Sequence, residues 1–188
     1  MRYIVAVLLM GLSFVLSGCP AVLVAGAGAG VVSAEDRRTL GTQTEDEGIE
    51  LKISGRVAER VPGDVHLNAT SYNRVVLLTG EVPNEDARRA VERIARSVEN
   101  VRAVTNELTI GAPTSLSSRA NDSYITSKVK TLFVDAQRFN ALHVKVVTEN
   151  KTVYLLGLVK RQEGKDAISI ARKTEGVKKV VAVFEYLN

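Results

Sequence analysis

Cys19 is the only thiol in this chain of 188 residues, so any sulfur chemistry happens at one position and without a disulfide partner. His66 and His143 are the only imidazoles. Neither has a carboxylate or cysteine beside it at ligand spacing, so the sequence points to no metal centre. It also offers no Ser/His/Asp or Cys/His arrangement for nucleophilic catalysis, and we expect no catalytic residue and no enzyme. What remains is surface chemistry. Tyr124, Lys128 and Thr131 lie one turn apart on a predicted helix. An aromatic with a polar tip beside a lysine suits a membrane interface, where the ring enters the headgroup layer and the ammonium meets phosphate. Lys130 adds charge on the outer face. With Ile125 and Phe133 behind them, these residues form the candidate phospholipid-binding set. The plainer reading is a solvated helix face with Tyr124 packed on the preceding linker, and the pattern alone leaves both open.

The elements that carry these residues begin with the N-terminus. Arg2 precedes an apolar run over residues 3–16, followed by Ser17, Gly18 and Cys19. A basic start, a short apolar stretch and small residues before a cut site describe a secretory signal peptide over residues 1–18. The run is short for a permanent span, which needs about 20 apolar residues. Leu16-Ser17-Gly18-Cys19 resembles the lipobox of bacterial lipoproteins. That resemblance implies cleavage before Cys19, a diacylglycerol on its thiol and an acyl chain on its amine, with no other cofactor. Several acyl chains on one residue hold a protein firmly to a membrane. Pro20 stands where an aspartate would signal retention in the inner membrane, so the outer membrane is the expected address.

Charge is unevenly spread. Residues 45–110 hold nine Lys and Arg against twelve Asp and Glu, a net of −3, whereas residues 122–188 hold twelve against seven, a net of +5. A sign difference between halves speaks to partners rather than to fold. The basic half should favour anionic surfaces. Nucleic acid is a poor candidate despite a pI near 9.3, because export removes it and no base-stacking aromatic cluster accompanies the lysines.

Residues 20–34 are small and apolar with interleaved glycine, and the polar stretch after them lacks an apolar period, so residues 19–48 read as a lipidated, flexible tether. Ile49, Leu51, Ile53 and Val57 then fit a short helix, or less well a strand. Residues 65–71 alternate, Tyr72-Asn73-Arg74 turns, and residues 75–82 form a strand. Pro83 opens a helix with Ala87, Ala90, Val91, Ile94 and Val98 on one face, and residues 101–110 return as a strand. After a turn-rich linker over residues 111–121, Asp122 caps a second helix with core positions Ile125, Val129, Leu132 and Phe133. A second hairpin, a helix through Ala167 and Ala171, and a closing strand complete the order.

The chain repeats itself. At an offset of 77, His66 meets His143, Asn73 meets Asn150, Gly80 meets Gly157 and Val82 meets Val159; at 76, Ala95-Arg96 meets Ala171-Arg172 and Val101 meets Val177. Gly80 and Gly157 read as close backbone approaches within a strand rather than as phosphate loops. Each copy is α-β-β-α-β, an α+β unit with a three-stranded mixed sheet and two helices on one face. The bare sheet face predicts that the two units, residues 49–110 and 122–188, pack together. Asn100 stands in the first copy where the second has a glycine, and should adopt the same left-handed backbone.

The central strand Val-x-Leu-x-Gly-x-Val, with the turn Gly176-Val177 leading through Val180 into the last strand, resembles the BON domain. Two such units behind a lipobox resemble the dual-BON lipoproteins of the outer membrane. The segments 121–130, 144–150 and 157–159 carry the likeness most strongly, with residues 40–44 in the tether. This resemblance implies a non-enzymatic, lipid-anchored protein facing the periplasm. It implies that the second unit binds anionic phospholipids, of the phosphatidylglycerol or cardiolipin type, in support of envelope integrity and at the division site. Tyr124 occupies a position where relatives carry a larger aromatic. The alternative is a scaffold in which the acidic first unit or the interdomain surface docks on the β-barrel assembly machinery, with lipid binding incidental.

Overall fold

The computed structural model describes residues 36–188, which form one compact unit. The expected signal peptide, Cys19 and the first part of the tether lie outside the described residues. The elements are α1 (Leu40–Arg60), β1 (His66–Tyr72), β2 (Val75–Val82), α2 (Glu85–Arg96), β3 (Ala103–Asn106), β4 (Thr109–Ile110), α3 (Leu116–Ala136), a 3-10 turn (Ala141–His143), β5 (Val144–Glu149), β6 (Thr152–Lys160), α4 (Arg161–Lys173) and β7 (Lys179–Leu187). The architecture is α+β, with two tandem copies of one module.

In each copy a tight hairpin pairs two antiparallel strands, and a helical crossover adds a parallel one. Asn73 and Arg74, like Asn150 and Lys151, both have positive φ, the two-residue turn whose twist matches its flanking strands. Asn100 adopts φ +68 where Gly176 adopts φ +90, so asparagine does take the left-handed place of glycine. The cores repeat as well. Ile49, Ile53 and Val57 of α1 pack on Val76, Leu78 and Val82 of β2 and on Val91 and Ala95 of α2. Ile125, Val129 and Phe133 of α3 pack on Val153, Leu155 and Val159 of β6 and on Ala167 and Ala171 of α4.

The opposite sheet faces meet. Tyr72 and Leu77 of the first module are buried with Tyr154 and Leu156 of the second, flanked by Val147, Leu158, Val181 and Val183. Each large side chain buried in such a seam is worth about 1.5–3 kcal/mol over its exposed state, so the modules pack rather than swing. Polar contacts rim the seam: Lys145 Nζ donates to Glu50 Oε1 at 2.9 Å, and Glu185 receives Asn73 Nδ2 and Arg102 Nη1, each at 2.9 Å.

Four sequence expectations need correction. The tether does not run to residue 48, because α1 begins at Leu40 with Thr39 Oγ1 accepting the Thr42 N–H. Gly48 and Gly55 face open space, so each weakens the helix by about 1 kcal/mol without disturbing its buried stripe. The linker is shorter than residues 111–121: Ser115 caps α3, and Asp122 lies inside that helix. Asn84, not Pro83, starts α2 by accepting the Ala87 N–H. Finally, the closing strand of the first module is broken into β3 and β4, making that sheet four-stranded. Asn106 causes the break, its side chain accepting from Leu108 N and donating to Glu92. Ala182 offers no such bonds in the second module, and β7 runs unbroken.

Candidate membrane-contact surface

The α3 stripe is built by the Gly176 turn. A side chain at Gly176 would crowd Ile125 at 3.2 Å, so the turn lies directly on the helix and brings Glu175 beside Lys128. Lys128 Nζ donates to Glu175 Oε2 at 2.7 Å and stands 5.5 Å from the Tyr124 ring centroid. This hydrogen bond raises the Lys128 ammonium above its ordinary pKa and holds the Glu175 carboxyl below its own. Lys128 is therefore paired with a carboxylate that the Gly176 turn supplies. The pair is a surface one, which water and salt weaken, so an anionic surface can take Glu175's place.

Tyr124 is 63 % exposed, which removes the reading in which it packs on the linker. Lys130 and Thr131 are exposed too, although Thr131 Oγ1 donates to the Ser127 carbonyl at 3.1 Å. Ile125 and Phe133 do not belong to the surface. They are 1 % and 0 % exposed, and Phe133 meets Phe139 edge-to-face at 5.1 Å. Their part is to seat α3 on its sheet. Leu132, expected in the core, is instead partly exposed, as are Val134 beside it and Leu142 on the neighbouring 3-10 turn. These three add an apolar margin that the core pattern concealed. Among the described residues, no helix is long and apolar enough to cross a membrane.

Gly80 and Gly157 sit where a Cβ would run into the carbonyl oxygens of His66 and His143, respectively. They are close backbone approaches, as the strand context suggested.

Sequence reasoning missed two constellations because neither is local. Arg37 makes a fork to Glu163, at 2.6 and 2.8 Å, and a bond to the Leu158 carbonyl at 2.7 Å, all in the second module. Arg38 binds Asp46 at 2.9 Å and lies 3.9 Å from the Tyr72 ring centroid, both in the first. Adjacent residues thus clip both modules. The second constellation gathers His66, Glu81 and Glu149 within 4.8 Å of one another; spacing along the chain could not show it, since one member comes from the other module.

Fold and surface together define a tandem of two small α+β modules packed sheet to sheet, with one exposed aromatic and basic helix face. The BON-domain model matches residues 45–112 and 121–188, beginning four residues before the first boundary expected from sequence. Over 184 residues the chain is 41 % identical to the outer membrane lipoprotein DolP of Haemophilus influenzae, covering 96 % of this chain and 95 % of that one. It is 30 % identical over 155 residues to a 21 kDa hemolysin of Actinobacillus pleuropneumoniae, with 81 % and 80 % covered. With the osmotically-inducible protein Y of Escherichia coli it shares 28 % over 145 residues, 75 % and 72 % covered. The chain belongs to the BON-domain family, as a dual-BON lipoprotein of the DolP type, lipid-anchored in the outer membrane.

Proposed function

We propose that this protein is a non-enzymatic membrane-contact module: Cys19 carries the acyl anchor, and the second BON module contacts anionic phospholipid through α3. The observation that carries the reading is the exposed Tyr124 ring beside Lys128, with Lys130 and Thr131 on the adjoining face and a local charge balance of +5 over residues 122–188. Each basic group near an anionic surface adds attraction, and the ring supplies interfacial burial. Phosphatidylglycerol and cardiolipin are the headgroup types that fit. The role this supports is envelope integrity, exercised from the periplasmic face and at the division site.

The test is co-sedimentation of residues 36–188, which carry both cores, with vesicles containing phosphatidylglycerol and with neutral vesicles. Lys128→Glu should weaken binding to the anionic vesicles about fivefold or more while the circular dichroism spectrum stays unchanged. Unchanged binding would remove Lys128 from the surface.

A further inference from the structure

We propose a divalent transition-metal site, of the kind zinc occupies, at the seam between the modules, with His66, Glu81 and Glu149 as protein ligands. This goes beyond the membrane-contact reading and does not depend on it.

The ligand atoms of the three residues all lie within 4.8 Å of one another, and His66 Nδ1 is 2.8 Å from Glu81 Oε2. A zinc ion holds nitrogen and carboxylate oxygen at about 2.0–2.2 Å, so a small side-chain rotation of Glu149 closes the set. Two carboxylates and a neutral imidazole balance a divalent cation. The imidazole argues against calcium and magnesium, which take oxygen ligands.

Two of the ligands are held in advance. His66 and Glu81 are directly opposite each other in the β1–β2 ladder. The close crossing at Gly80 draws the two strands together at this point. The Thr114 N–H donates to Glu81 Oε2 at 3.2 Å, which orients the carboxylate as outer partners do in metal sites. Glu149 arrives at the end of β5, beside the turn that Asp122 holds. The site opens on a cleft of about 490 Å3 lined by His66, Arg119, Thr148 and Glu149 among others, which admits the water a fourth position requires.

The placement follows the pseudo-twofold relation of the modules. At the repeat offset of 77, Tyr72 corresponds to Glu149 and His66 to His143. Tyr72 reaches across the seam to the His143 carbonyl at 3.5 Å, and Glu149 makes the reciprocal approach to His66. Leu158 stands in the second module where Glu81 stands in the first, so the reciprocal place lacks the two-carboxylate set. A bound ion would tie the first sheet to the second across the seam.

The full-length lipidated chain in detergent micelles, stripped with a chelator, should be titrated with Zn2+ and with Co2+ as a spectroscopic substitute. The expected result is one ion per chain, a visible absorption typical of nitrogen and oxygen ligation, and a raised melting temperature. Glu149→Gln and His66→Gln should each weaken binding by at least about tenfold, while His143→Gln leaves it intact. Glu149 is half-buried at a strand end, so Glu149→Gln keeps the fold and decides the matter even if the His66 variant misfolds. Absence of saturable one-to-one binding, or binding undiminished in Glu149→Gln, overturns the proposal.

Discussion

Asp46 and Asp122, 76 residues apart, do the same work in the two modules. Each is buried inside its module's first helix and accepts both backbone N–H groups of the hairpin turn. Asp46 takes Asn73 N at 2.8 Å and Arg74 N at 2.7 Å; Asp122 takes Asn150 N and Lys151 N, each at 2.9 Å. A turn with two residues at positive φ points both amides the same way, and one carboxylate satisfies them. Helix and hairpin are thereby locked in register.

Asp122→Ala should therefore destabilise the chain by about 2–4 kcal/mol, because two buried N–H groups lose a charged acceptor. Asp46→Ala should cost more, since that carboxylate also receives Ser71 Oγ at 2.6 Å and Arg38 at 2.9 Å. Urea unfolding of both variants measures the order. Equal losses would mean that the Ser71 and Arg38 contacts add nothing.

The glycine approaches make a second prediction. Gly80→Ala adds a methyl against the His66 carbonyl at φ +114, a strain of about 1–3 kcal/mol from the backbone alone. Gly157→Ala meets the His143 carbonyl without the positive φ. Both should lower the urea midpoint, Gly80→Ala further.

The clip at Arg37 has a pH signature. The Arg37 fork, aided by the Lys160 N–H, holds the Glu163 carboxyl below its ordinary range against the opposing effect of burial. A carboxylate with a depressed folded pKa contributes stability that is fully present above its unfolded pKa, about 4.3, and is lost as pH falls through the folded value. The stability difference between wild type and Arg37→Ala should be level at neutral pH and shrink below about pH 4.3. A difference that grows on acidification would refute the pairing.

Glu175 should act as a brake on membrane contact. Glu175→Gln releases Lys128 and removes a negative charge from the stripe, so binding to anionic vesicles should rise about fivefold. Binding that falls instead would show the ion pair to be part of the surface.

Much of the fold was legible because the repeat wrote it twice: hairpins, core stripes and the left-handed Asn100 all follow from local residue types. The start of α1 was hidden by Gly41, Gly48 and a polar stretch, whose buried Asp46 is satisfied by Arg38 and by the hairpin turn at Asn73 and Arg74, contacts that only the fold brings together. Ile125 and Phe133 share α3 with the surface residues, but their spacing places them on its core face. Glu175 was out of view because only the fold of the Gly176 turn carries it to Lys128. His66, Glu81 and Glu149 converge through module packing, which no window of sequence reports.

The most direct measurement is an amide NMR titration of residues 36–188 with lipid nanodiscs containing phosphatidylglycerol. Perturbation and broadening concentrated on Tyr124, Lys128, Lys130 and Thr131, and weakened by salt, is the predicted result. Changes centred on α2 of the first module, or none at all, would contradict it.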